Sequence, residues 1–214
     1  LLGLPTFFRQ IGSPHNNLAR VDLRFIHHVH LDEKSLSNII FDKLLEWDSV
    51  QDLTFRRRWE QSPALSAETC KYIGLLLQCQ TKLWHFAFDC LVENEGLQYI
   101  CHGLRTNSGL QEVEISLRSL YDVEQLGKGL AANKSIRQLK IFNTPSEPLL
   151  ILLTQLRKNQ SITEVHIENC LFTTGTILSG LKHLNAAKIK LSNVQLCKMT
   201  DAAIEGLKDC KCTE

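Results

Sequence analysis

The chain has 214 residues, with 24 basic against 23 acidic side chains, and is 43% apolar but only 7% aromatic. This is the composition of an ordinary globular chain with ample length for a continuous core, and its near-neutral charge argues against bulk binding to nucleic acid or an anionic membrane. The longest apolar runs, Ile73–Leu77 and Leu149–Leu153, fall far short of the ~20 residues that cross a bilayer.

Residues 1–17 read as an atypical N-terminal segment. With neither a starting Met nor a basic signal region, the chain is expected to be part of a longer protein. From residue 18 an apolar-x-x-apolar-x-apolar hexad recurs. Its apolar positions are Leu18/Val21/Leu23, Val50/Leu53/Phe55, Leu83/Phe86/Phe88, Leu110/Val113/Ile115, Ile136/Leu139/Ile141, Ile162/Val165/Ile167 and Ala186/Ile189/Leu191. The starts lie 32, 33, 27, 26, 26 and 24 residues apart. Alternation within each hexad predicts a short strand with one buried face.

Between hexads the apolar period becomes helical. Leu97, Ile100, Cys101 and Leu104 form one stripe; Val123, Leu126 and Leu130 form the next. Leu149, Leu152, Leu153 and Leu156 form a third, and Ile177, Leu178, Leu181 and Leu184 a fourth. Ser66 is expected to cap one helix with Glu68 in its first turn. Ser146-Glu147-Pro148 is expected to place proline at a first helical position, and Thr200-Asp201 to open the last helix. Asn107, Asn133 and Asn159 each follow a helix stripe at a spacing of 26 and precede the next hexad by three residues. Asparagine tolerates left-handed backbone, so each is expected to end its helix in that conformation. Of the 36 leucines, many occupy these periodic positions, so leucine carries the architecture.

Strand hexad, helix stripe and asparagine in common register resemble a leucine-rich-repeat domain of the ribonuclease-inhibitor-like type over about residues 18–210. The resemblance implies an α/β solenoid, a curved horseshoe with a parallel sheet on the concave face and helices on the convex face. About seven repeats are expected, starting near residues 18, 50, 83, 110, 136, 162 and 186. The Asn or Cys usual in the family three positions past the hexad is matched only by Cys170. Arg58, Leu91, Arg118, Thr144 and Val194 stand elsewhere, so the loops after the strands are expected to be irregular. The segment from Met199 to Cys210 resembles the cysteine-containing repeats of F-box proteins.

The solenoid would expose the polar positions of each hexad on its concave face. Charge there alternates by strand: Glu112 and Glu114, then Arg137 and Lys140, then Glu164 and Glu168 with His166, then Lys188 and Lys190. Trp84 and Phe142 occupy the same face, where aromatics are natural anchors for a protein partner, and His85 lies beside Trp84. The cluster Arg56-Arg57-Arg58-Trp59, at a strand end and its loop, is a second candidate contact.

Other chemistry is set aside. His27, His28 and His30 with Asp32 and Glu33 are the only metal-like group in the sequence, and no fourth ligand accompanies them at a zinc spacing. Nucleophile and phosphate-loop motifs do not occur. The 8 cysteines are expected to be free thiols in a reducing compartment. The sequons at Asn133 and Asn159 coincide with the repeat asparagines. No catalytic residue, metal or cofactor is therefore expected. The expectation is a non-catalytic protein-interaction module of a larger cytoplasmic protein, monomeric as a fragment, with a protein partner and neither nucleic acid nor membrane. Alternatives from relatives of the fold are a trans-acting regulator of a Ran-type GTPase or an F-box-type substrate receptor. A NOD-like receptor sensor, a tropomodulin-like actin-capping domain and a pathogen effector share the same architecture.

Overall fold

The computed structural model describes residues 20–25, 50–57, 64–93, 95–117, 123–172, 176–196 and 212–213. Each described hexad becomes a strand: β1 (Arg20–Phe25), β2 (Asp52–Arg57), β3 (His85–Asp89), β4 (Glu112–Ser116), β5 (Gln138–Phe142), β6 (Glu164–Glu168) and, past the short β7 (Leu171–Phe172), β8 (Lys188–Ser192). All neighbours are parallel, in the order β1-β2-β3-β4-β5-β6-β8. A further short strand, β10 (Cys212–Thr213), continues the sheet beside β8, while β7 pairs separately with β9 (Gln195–Leu196).

The register follows the hexads. Val21 lies opposite Leu53, Leu53 opposite Phe86, Phe86 opposite Val113, and the series continues through Leu139, Val165 and Ile189. A slip of one residue would turn these apolar side chains to water, which is why the pattern determines the pairing. From Val50 to Ile189 the hexad apolar residues are buried. Phe55, Phe86 and Phe88 make an aromatic layer with ring centroids 6.0–6.4 Å apart.

Helices α1 (Ala67–Cys79), α2 (Leu97–Thr106), α3 (Val123–Ala132), α4 (Ser146–Leu156) and α5 (Thr176–Lys182) cover the other face of the sheet. The buried apolar residues of α2 to α5 are the expected stripes, with the Leu178 side chain outside the described residues. Ser66 caps α1, accepting from the Thr69 N–H at 3.3 Å. The proline expectation needs correction. Pro145 is the N-cap and Ser146 the first helical residue of α4, so Pro148 is the third, a place where its missing N–H costs nothing because first-turn donors have no intrahelical partner. The helix expected after Thr200-Asp201, residues 1–17 and His27, His28 and His30 lie outside the described residues.

Strands stack about 4.8 Å apart and packed helices about 8–10 Å apart, so the sheet takes the inner side of the solenoid. Helices α1 and α2 approach closely through glycine: a Cβ on Gly103 would fall 2.6 Å from the Gly74 carbonyl oxygen. The architecture is the α/β leucine-rich-repeat solenoid.

The helix-exit asparagines do not adopt left-handed backbone, contrary to the expectation. Asn107 is extended, at φ −65° and ψ 133°. These residues form a buried ladder instead. Asn133 donates from Nδ2 to the carbonyls of Leu104 and Asn107, at 2.6 and 2.8 Å, and accepts at Oδ1 from the Ser135 and Ile136 N–H groups. Asn159 repeats the arrangement, reaching the carbonyls of Leu130, Ala131 and Asn133 at 3.1 Å. Asn107 does the same toward Leu77 and Gln80, and Asn185 toward Arg157 and Asn159. The carboxamides of Asn107, Asn133 and Asn159 thus tie the end of one helix to the approach to its strand and to the preceding repeat. With Asn133 and Asn159 both buried and their Nδ2 groups engaged, the two sequons cannot carry a glycan in this fold. Among the described residues the left-handed ones are Asn143, Asn169 and Asn193, each one position past a strand, at φ 49°, 54° and 48°.

At the loop position where leucine-rich repeats usually carry Asn or Cys, a threonine serves after β5 and the matching cysteine after β6. Thr144 Oγ1 accepts from the Leu117 N–H at 3.1 Å and donates to the Phe142 carbonyl at 3.0 Å. Cys170 Sγ contacts the Glu168 carbonyl at 3.3 Å, and burial pushes its thiol pKa up.

Candidate functional site

Register places the polar hexad positions in lateral rows across the concave face. One row runs Asp52, His85, Glu112, Gln138, Glu164, Lys188. The next runs Thr54, Ala87, Glu114, Lys140, His166, Lys190. A third includes Arg56 opposite Asp89 and, further along, Ser116, Phe142, Glu168 and Ser192.

The alternating charges meet as ion pairs organised around two carboxylates. Glu164 accepts from Lys190 at 2.8 Å, faces Lys188 at 3.4 Å and contacts His166 Nε2 at 2.7 Å. Lys190, His166 and Lys188 together hold the Glu164 carboxyl down from 4.5 to about 2 against the opposing effect of burial, and Glu164 in turn raises the Lys190 pKa. Glu114 is the second centre, with Arg56 Nη2 at 3.6 Å and Lys140 Nζ at 3.8 Å. Lys140 also reaches Glu168 at 3.2 Å, which links the two groups of strands.

Arg56 belongs to this face and not to a loop, because β2 extends two residues past its hexad. Its guanidinium passes across β3 to Glu114 on β4, above the small side chain of Ala87, which is only 1% exposed. Only the backbone of Arg57 is described, and Arg58 and Trp59 lie outside the described residues. Arg137 is exposed and donates from Nη1 to the Ser161 carbonyl at 3.1 Å.

Trp84 stands as expected, 45% exposed, with its ring 5.6 Å from that of His85. Phe142 is half-buried between Ser116 and Glu168. His85 departs from the expected exposed position: it is 9% exposed, because its Nδ1 is held by Asp52 Oδ1 at 2.8 Å. Asp52 is held in turn by the Thr54 hydroxyl, which donates to it at 3.3 Å. Since an ionised carboxylate only accepts, Nδ1 is the protonated nitrogen and Nε2 points onward, 4.0 Å from Glu114 Oε1. His85, Glu112 and Glu114 offer ligand atoms all within 4.8 Å of one another, a convergence the separate hexads did not suggest. The signal was present in the sequence, since Asp52, His85 and Glu112 all occupy the third hexad position.

Cys70, Cys79, Cys90, Cys101 and Cys170 are free thiols. None of the described helices is long and apolar enough to cross a membrane.

No family model matches the chain. Among curated proteins it is similar to leucine-rich repeat-containing protein 45 of Gallus gallus, 39% identical over 83 residues. That match covers 37% of this chain and 12% of the chicken protein. The similarity supports a kinship with leucine-rich-repeat proteins, and with it a protein-interaction module in general terms.

Proposed function

We propose that this domain recognises a protein partner on its concave face without catalysing a reaction, as a recognition or scaffold module within a larger protein. The observation that carries the reading is Trp84. It is the most exposed of the large hydrophobic side chains described, and it stands at the edge of a face otherwise organised by ion pairs. A large aromatic kept in water on a rigid sheet is the usual anchor of a protein interface. The flanking charges, already held in place by their neighbours, would set register and exclude wrong partners more than they would add affinity.

The finer features belong to the same proposal. A ribonuclease-inhibitor-like subtype is supported by one helix per repeat between hexads of 24–27 residue spacing in the C-terminal half. Cytoplasmic residence is supported by the free thiols, and a partner that is neither nucleic acid nor membrane by the balanced charge of the face.

The test is affinity capture from cell extract with the intact chain beside Trp84→Ala/Phe142→Ala, read by mass spectrometry. Recovered proteins would then be titrated against both purified baits. The expected result is a partner lost from the double variant, whose melting temperature stays within a few degrees of the parent. Equal affinity for both baits would overturn the concave-face reading.

A further inference from the structure

We propose that the concave face holds a divalent first-row transition-metal ion, coordinated by His85 Nε2 and the carboxylates of Glu112 and Glu114. The site would be separate from the Trp84 anchor in chemistry and does not depend on any partner.

The argument begins with the histidine. A buried imidazole whose Nδ1–H is donated to a carboxylate presents a fixed, basic Nε2, the arrangement that orients metal-ligating histidines in proteins. Asp52 does this for His85 at 2.8 Å, and Thr54 steadies Asp52. Among the described residues Nε2 itself makes no hydrogen bond and is directed toward Glu114, 4.0 Å away. His85 is 9% exposed as a residue, so its second nitrogen is aimed into the gap between β3 and β4, with the Glu114 carboxylate as the facing group.

The two carboxylates come from the neighbouring strand. Glu112 lies directly opposite His85, and Glu114 follows two residues later on the same face. Opposite Glu114 stands Ala87, whose short side chain leaves room above it that the Arg56 side chain crosses on its way to Glu114. Among the described residues Glu112 makes no ion pair, although Arg56 and Lys140 flank Glu114 at 3.6 and 3.8 Å, both beyond hydrogen-bond distance. Three carboxylates therefore surround one imidazole, with two cations at the margin.

The ligand atoms lie within 4.8 Å of one another, whereas bonds of about 2.0–2.2 Å place tetrahedral ligands about 3.4 Å apart. Closing the site takes rotamer adjustments of about 1 Å in two long side chains, with no backbone change. One imidazole with two carboxylates suits zinc, cobalt or manganese better than the harder calcium or magnesium. It leaves a coordination position for water.

The experiment is calorimetric titration of the full chain with Zn²⁺, and with Co²⁺ followed by visible absorption. The decisive variant is Glu112→Gln, because a purely structural role predicts no effect from a residue that pairs with nothing described. The expected result is one ion per chain, with affinity lowered at least tenfold in Glu112→Gln. Asp52→Asn, which disturbs only the positioning of His85, should lower affinity by about 10–100-fold. The far-ultraviolet spectrum should be unchanged in both variants. The proposal is overturned by any of three results: no saturable binding, binding unaltered in Glu112→Gln, or a Co²⁺ spectrum with thiolate charge-transfer bands, which would assign the ion to cysteine.

Discussion

Glu164 shows how a single side chain on this face can be stabilised by its neighbours. Its carboxyl is held at about 2 by Lys190, His166 and Lys188, below the 4.5 it would have when unfolded. A depressed carboxylate stabilises the fold at pH above its unfolded value, and that stabilisation is lost as the pH falls through the folded one. Stability should therefore decline as the pH drops from 4.5 toward 2. Glu164→Gln should flatten this part of the profile in urea unfolding while leaving an appreciable difference from the parent only above it. An unchanged profile in the variant would show that these three neighbours do not act through Glu164. The alternation of charge behind this network is legible in the sequence, because every strand carries its polar residues at the same hexad positions. The burial of His85 is not legible, since it depends on which carboxylate in the adjacent strand turns toward the ring.

At the scale of the elements, the asparagine ladder is the feature that gives the repeat its precision. The recurrence of Asn107, Asn133 and Asn159 is plain in the sequence, but recurrence alone does not separate a backbone role from a side-chain role. The carboxamide role prevails because the helix ends and strand starts leave carbonyl and N–H groups that are buried away from water. Asn159→Ala would strand the Ser161 and Ile162 N–H groups and remove the donor to the Ala131 carbonyl. The Leu130 and Asn133 carbonyls would keep the Asn133 N–H and the Ser161 hydroxyl. The expected loss is about 2–4 kcal/mol in urea denaturation. Asn185→Ala, at an exposed rung with acceptors 3.2 Å away, should cost less than about 1 kcal/mol. Equal losses at the two positions would show that burial is not what gives the ladder its strength. The left-handed Asn143, Asn169 and Asn193 escape a reading by period, because they follow strands in loops without an apolar pattern.

For the whole molecule, the core is a continuous layer between one parallel sheet and one row of helices, so each repeat depends on its neighbours for burial. Leu152 is fully buried in α4, and Leu152→Ala should cost about 2–5 kcal/mol through the cavity it leaves. A single cooperative transition shifted to lower temperature is expected, since a repeat that loosens exposes the apolar faces on both sides of it. A separate early transition would mean that the repeats unfold independently.

The sequence by itself determined the hexad strands, the helices between them, their order and their register, because apolar spacing decides which face of each element can leave water. It also determined the rows of the concave face, since register carries polar positions along with apolar ones. Only the tertiary structure decided which of those polar groups meet. The reach of Arg56 across Ala87, the hold of Asp52 on His85, and the asparagine side chains bridging successive repeats all join residues about one or two repeats apart, through distances and burial that a one-dimensional pattern does not contain.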